Sequence, residues 1–297
     1  MFPVLFRFPE GLPLIGGVEI TSFGVMMFFS FLGGAWVLSK QMKQRGFDPE
    51  LAWDFLLWIA LGGILGAKLY YNALHLEDLK ADPIGELTNR AGLVWYGGLI
   101  GGVLAYWWQV KRRGLPMAQM FDATAPALFL AYAIGRMGCF LVGDDYGLPT
   151  DSWVGIAFPE GAPPSTAGYL RTVGADIPAA IPDSTVMAVH PTQLYEVGAG
   201  LLLFFVMLRL SKLNLAPGRL WALFLAFYGV ERFLVEFVRA KSDRLLLGLS
   251  TSQLASLLLL GIAAYIWARA GRAAQERGAT PAGSPQQGAA RAGAGRG

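Results

Sequence analysis

Apolar runs about twenty residues long recur along the chain, separated by short polar stretches and by stretches rich in glycine and proline. They occupy approximately residues 15–39, 53–74, 93–110, 121–142, 193–210, 218–238 and 250–268. A helix needs ~20 apolar residues to cross the hydrocarbon core of a bilayer. Backbone groups in lipid must find their hydrogen-bond partners within the chain, which selects helices over open strands. The pattern therefore predicts an all-α fold, a polytopic membrane bundle of about seven transmembrane helices. Glu19 interrupts the first run, so its helix begins as late as Thr21 on the stricter reading.

The polar residues between the runs carry the orientation. Lys40, Lys43 and Arg45 follow the first run, and Lys111, Arg112 and Arg113 the third; Arg209, Lys212 and Arg219 lie between the fifth and sixth. Short cytoplasmic loops collect Lys and Arg, so these loops are read as cytoplasmic, with the N-terminus outside and the C-terminus inside. Lys241 and Arg244 in the last outer loop make the bias imperfect. The outer face receives a polar stretch after the second run and the long Gly- and Pro-rich segment 148–190, read as a small extracytoplasmic cap. Residues 1–270 are expected to form the membrane domain and 271–297, which is low in complexity, a flexible cytoplasmic tail. The N-terminus lacks the charged, apolar and small-residue sequence of a cleaved signal peptide.

Composition narrows the class further. The chain is 54% hydrophobic and 15% charged, against about 25% charged in soluble domains. A formal charge of +3 without a basic stripe argues against a nucleic-acid partner. One cysteine, Cys139, excludes an intramolecular disulfide framework. The residues suggest neither a metal nor a cofactor.

Ionisable residues inside apolar runs are expensive and mark sites. Arg136 sits in such a run, in Gly135-Arg136-Met137-Gly138, ahead of Gly143-Asp144-Asp145-Tyr146-Gly147. In the sixth run Arg232, Glu236 and Arg239, spaced four and three apart, share one helix face. Both arginine sets fall toward the outer ends of their helices. An arginine fork suits a phosphate, and Arg136 is expected to hold a lipid phosphate; interhelical ion pairing, for example Arg136 with Glu236, is the plainer alternative. His190-Pro191-Thr192-Gln193-Leu194-Tyr195-Glu196 opens the fifth run with an imidazole, an amide and a carboxylate, or simply starts a helix. Tyr96 and Gly98, in Trp95-Tyr96-Gly97-Gly98, are a catalytic phenol and a glycine of close approach, or an aromatic-belt anchor and packing. Lys68, well inside its run, should face the bundle and meet a partner.

Taken together, Gly135-Arg136-Met137-Gly138, the string from His190 to Glu196, Tyr96-Gly97-Gly98 and the string from Arg232 to Arg239 resemble the phosphatidylglycerol–prolipoprotein diacylglyceryl transferase family over about residues 20–265. The resemblance implies transfer of diacylglycerol from phosphatidylglycerol to the lipobox cysteine thiol of prolipoproteins, at the bacterial cytoplasmic membrane. The partners it implies are phosphatidylglycerol, the prolipoprotein signal-peptide segment and membrane lipid. By the same resemblance Arg136, Arg239, Asp144, Gly98, Gly147, Gln193 and Glu196 bind substrate, while Tyr96, His190, Arg232 and Glu236 serve catalysis. The chain departs from the family pattern at Phe23, Tyr96, Cys139, Val142 and Asp144, each of which removes or moves a hydrogen-bonding group. These departures leave Tyr96 and His190 as the candidate bases, with Cys139 as packing. Two rivals follow: a paralogue that binds phospholipid or lipoprotein precursor without turnover, and an anion transporter using Arg136, Arg232 and Lys68.

Overall fold

The computed structural model describes residues 1–11, 16–88, 92, 94–241 and 248–279. In chain order the elements are β1 (Val4–Arg7), β2 (Glu19–Thr21), α1 (Ser22–Gln44), α2 (Leu51–Leu74), α3 (Leu76–Ala81), α4 (Pro83–Thr88), α5 (Trp95–Arg112), α6 (Met117–Val142), β3 (Ile156–Ala157), α7 (Ala167–Thr172), β4 (Ala188–Val189), α8 (Thr192–Leu210), α9 (Arg219–Val235) and α10 (Thr251–Ala279). The long helices α1, α2, α5, α6, α8, α9 and α10 match the seven apolar runs. Helices α1, α2, α6, α8 and α10 are long and apolar enough to cross a membrane by length and composition. Helices α5 and α9 are shorter, at 18 and 17 residues. Large apolar side chains such as Phe28, Leu57, Ile64, Leu202, Phe205 and Leu258 face outward, as a lipid-facing surface requires.

The first run resolves differently from its hydropathy. Residues Glu19–Thr21 pair antiparallel with Val4–Arg7 as a terminal hairpin, closed by an Arg7–Glu19 ion pair. Helix α1 then starts at Ser22, where the Thr21 hydroxyl accepts from the Gly24 N–H at 3.0 Å. An N-cap of this kind satisfies a backbone donor that the first turn leaves free. At the other end of the chain α10 runs on to Ala279, so nine residues expected in the tail, 271–279, are helical. The rest of the tail, and Arg244 of the last outer loop, lie outside the described residues.

Helix α6 is the hub. It packs against α1, α8 and α9, while α2 pairs with α5 and α9 with α10. Met42, Phe55, Met120, Phe129 and Met207 are fully or almost fully buried in the shared core. The α2–α5 contact is made backbone to backbone. A Cβ at Gly66 would collide with the Gly97 carbonyl, and one at Gly101 with the Gly62 carbonyl, the close approach that small residues permit in membranes. Asp122 of α6 ties α6 to α9. Its carboxylate is 7% exposed and accepts from the N–H groups of Gly218, at 2.7 Å, and Trp221, at 2.8 Å. These are free donors at the start of α9, whose own N-cap, Gly218, has no side chain to fill them.

Residues 148–190 carry a separate small core of Phe158, Ala167, Leu170, Ile177 and Val189, joined by Tyr146. Strands β3 and β4 pair inside it. This unit sits on the loop that follows α6. The basic ends of α1, α5 and α9 lie at the opposite end of the bundle. There Lys40, Lys111 and Arg112 rest over Trp36, Trp107 and Trp108, and Arg219 over Trp267.

Candidate active site

The end of α6, the start of α8 and the end of α9 converge beneath the cap, and each brings charge. Helix α6 supplies Arg136 and stops at Gly143, whose left-handed φ of 75° ends the helix while its N–H bonds the Cys139 carbonyl at 2.8 Å. The chain then turns through Asp145, a non-glycine residue at φ 58°. A conformation that costs an L-residue energy marks a position held by its surroundings. Here the hold is visible. Gly147 N–H donates to the His190 carbonyl at 2.8 Å, and Leu148 N–H to the Val238 carbonyl at 2.8 Å. The loop is thus laced between the segments entering α8 and leaving α9. A Cβ at Gly147 would lie 2.8 Å from His190 Cβ and 2.9 Å from Thr192 Cγ2.

Glu196, fully buried on α8, is the hub of the charges. It pairs with Arg136, with Arg232 Nη1 at 2.5 Å and with Arg239 Nη1 at 3.9 Å. Asp145 pairs with Arg136 at 3.0 Å, Arg239 at 2.5 Å and Lys241 at 4.0 Å. Glu236 lies 3.5 Å from Arg232 and 3.8 Å from Arg239. Three largely buried arginines thus meet three carboxylates, and Lys241 adds a half-exposed cation at the edge beside Asp145. Donors are also left over. The Nε groups of Arg136 and Arg239 are buried and have no hydrogen-bond partner among the described residues, and two acceptors, the Gln193 amide oxygen and the Glu236 carboxylate Oε1, are likewise unmet.

The two aspartates of the loop differ in proton affinity. Burial by itself would raise Asp145, but Arg239, Arg136 and Lys241 outweigh it and hold the carboxyl at about 2. Burial pushes Asp144 above the ordinary aspartate value; a hydrogen bond with Cys139 opposes this, and the neighbouring Asp145 charge adds to it. Asp145 is accordingly a fixed anion, and Asp144 holds its proton more readily.

Several site expectations meet here: Arg136, Glu196, Arg232, Glu236 and Arg239 form one cluster, with Gln193 tied in through its Nε2 donating to the Asp144 carbonyl at 2.5 Å. Gly147 contributes backbone closure. Beside Asp144, it is Asp145 that pairs with Arg136 and Arg239. The Asp144 side chain bonds Cys139, whose sulfur also accepts from Arg136 at 3.3 Å, so Cys139 belongs to the site and is more than packing. Tyr96 stands apart: it is 62% exposed at the start of α5, ring to ring with Trp95, and makes no recorded contact with the cluster. Gly98 serves packing, with a Cβ there 3.4 Å from the Gly63 carbonyl. The His190 ring meets Tyr195, with Nδ1 3.1 Å from its hydroxyl. Gly138 makes room for α1 rather than for a ligand, since a Cβ there would lie 3.0 Å from Met26 Cβ. Lys68 lies over the Tyr71 ring.

Two residues were missed by sequence reasoning. The Tyr132 hydroxyl of α6 is 3.0 Å from Glu196 and 3.2 Å from Glu231 of α9. Tyr132 lies one turn before Arg136, a spacing that could have flagged it.

A bundle of long apolar helices with a caged arginine–carboxylate centre at one end defines the class, an all-α polytopic membrane protein. The comparisons with known proteins narrow it. A family model described as prolipoprotein diacylglyceryl transferase matches residues 10–269. Among proteins named phosphatidylglycerol–prolipoprotein diacylglyceryl transferase, that of Clostridium tetani is 31% identical over 269 residues, covering 90% of this chain and 97% of its own. That of Gloeobacter violaceus is 31% identical, covering 88% and 93%, and that of Pseudomonas paraeruginosa 31%, covering 89% and 95%. The chain belongs to the prolipoprotein diacylglyceryl transferase family.

Proposed function

We propose that the chain transfers the diacylglyceryl group of phosphatidylglycerol to the thiol of the lipobox cysteine of prolipoproteins. The observation that carries this is the convergence of three largely buried arginines, Arg136, Arg232 and Arg239, with guanidinium donors still unfilled at Arg136 and Arg239. A phosphodiester carries one negative charge and oxygens that accept such donors. The sulfur of the thiolate forms a bond to the glycerol carbon bearing the phosphate ester. The carbon–oxygen bond breaks, and glycerol phosphate leaves with the electron pair. Arg136, Arg232 and Arg239 stabilise the charge that gathers on the departing oxygens. Arg136 holds the headgroup, and Glu196 and Asp145 keep the guanidiniums aimed when no lipid is present.

The Lys and Arg of α1, α5 and α9, resting over tryptophans at the end away from the site, support an orientation with that end cytoplasmic and the site toward the outer leaflet of the bacterial cytoplasmic membrane. Both substrates arrive from the membrane. Purified protein should move labelled diacylglycerol from phosphatidylglycerol vesicles to a lipobox peptide. Intact lipid and peptide binding without any transfer would defeat this reading in favour of a binding paralogue.

A further inference from the structure

Tyr132 stands between two carboxylates. Its hydroxyl is 3.0 Å from Glu196 Oε1 and 3.2 Å from both Glu231 oxygens. A phenol has one hydrogen to donate, and ionised carboxylates only accept. Two links therefore compete for a single hydrogen, and the set has a vacancy for one further proton. With that proton on Glu231, Glu231 donates to the phenol oxygen, Tyr132 donates to Glu196, and both links are filled.

The surrounding charges say where the proton comes to rest. Glu196 is held by Arg136, Arg232 and Arg239. Glu231 has no cation within 4.0 Å among the described residues, so a proton there displaces no ion pair. Of the elements around Glu231, α6 brings Tyr132 and Arg136, α8 brings Glu196, and α9 brings Tyr228 and Arg232. Helix α10 packs on α9 and has no titratable residue from 251 to 264.

We propose that Glu231, reached through Glu196 and Tyr132, receives the proton of the substrate thiol; this rests on the transfer reading above. Glu196 takes the proton from sulfur as the carbon–sulfur bond forms. The Tyr132 oxygen accepts it from Glu196 while its own hydrogen passes to Glu231. Glycerol phosphate departs with the electron pair of the broken carbon–oxygen bond, and Glu231 returns its proton to water after product release. Glu196 touches the reacting atoms; Tyr132 and Glu231 act through it.

The test is a pH–rate profile of transfer for wild type, Glu231→Gln and Tyr132→Phe, with thiol and selenol versions of one lipobox peptide. General-base assistance contributes at least ~10²-fold, so both variants should lose about that factor in kcat at pH ~7 with the KM for phosphatidylglycerol unchanged. The loss should shrink above the free thiol's pKa of ~8.5, where the thiolate forms unaided. A selenol, ionised at neutral pH, should react almost as fast with the variants as with wild type. That selenol-to-thiol ratio is read within each variant and does not depend on how much of it folds. A wild-type pH profile, or equal losses for thiol and selenol, would overturn the relay while leaving the transferase reading intact. No transfer by wild type would overturn both.

Discussion

At the scale of single residues, the site is a set of guanidiniums made tolerable by shared carboxylates. Removing Arg136 takes away the guanidinium proposed to hold the phosphate and leaves Glu196 less compensated. Arg136→Ala should reduce transfer at least ~10²-fold while the protein still inserts, and Arg136→Lys should also be poor because the planar fork is lost. A labelled-lipid assay checks both, and wild-type rates in either would refute the assignment. Asp145 supplies a pH prediction. Its folded pKa of about 2 lies below the ordinary aspartate value of ~3.9. Its ion pairs therefore add stability that is complete above pH ~4 and drains away as pH falls toward 2. In Asp145→Asn, thermal unfolding should lose that slope across this window; an unchanged slope would show that the acid limb comes from elsewhere.

The residue scale is also where the sequence was hardest to read. Arg136 declared itself because a lone guanidinium in an apolar run needs a reason. Tyr132 and Glu231 did not, since a tyrosine in an apolar run looks like filler and a carboxylate beside Arg232 looks like its partner. Asp144 and Asp145 are chemically alike along the chain. The left-handed turn at Asp145, a consequence of how the loop is laced to its neighbours, decides which one meets the arginines. Tyr96 and His190 were candidate bases from the resemblance and from the acid–base chemistry of their side chains, and neither source says where a ring lies in the fold.

At the scale of elements, hydropathy located all seven long helices, because an apolar run of that length has few other uses. For the first, the later start near Thr21 that Glu19 suggested is the one the structure shows, while the pairing of Glu19–Thr21 with Val4–Arg7 depends on a partner strand that hydropathy does not see. Hydropathy was equally silent on Asp122, which closes the start of α9 from another helix. Replacing Asp122 with alanine deletes two charge-assisted bonds and should lower stability by about 1–3 kcal/mol. The drop in unfolding temperature in detergent would measure it, and no drop would mean that α9 is capped by water. The glycines of α5 were legible as a packing signal, and the backbone contact with Gly62 and Gly66 of α2 explains them.

At the scale of the whole molecule, charge and tryptophan gather at one end and the reactive cluster at the other. That asymmetry predicts the accessibility of single cysteines. Trp153→Cys, at a position 94% exposed on the cap, should react with a membrane-impermeant maleimide added to intact cells. Lys40→Cys should react after permeabilisation alone, and the reverse pattern would invert the orientation; Cys139 is buried and adds little background.

The shared use of Glu196 has a consequence for biosynthesis. Arg136 and Glu196 emerge from the ribosome well ahead of Arg232 and Arg239. A growing chain therefore holds one guanidinium, Arg136, and two carboxylates, Asp145 and Glu196, with the loop through Asp145 still lacking the segment leaving α9 that clamps it. The centre is born incomplete and becomes competent when the penultimate long helix enters the bilayer, so a chain truncated before that point is an inert insertion product rather than a partial enzyme.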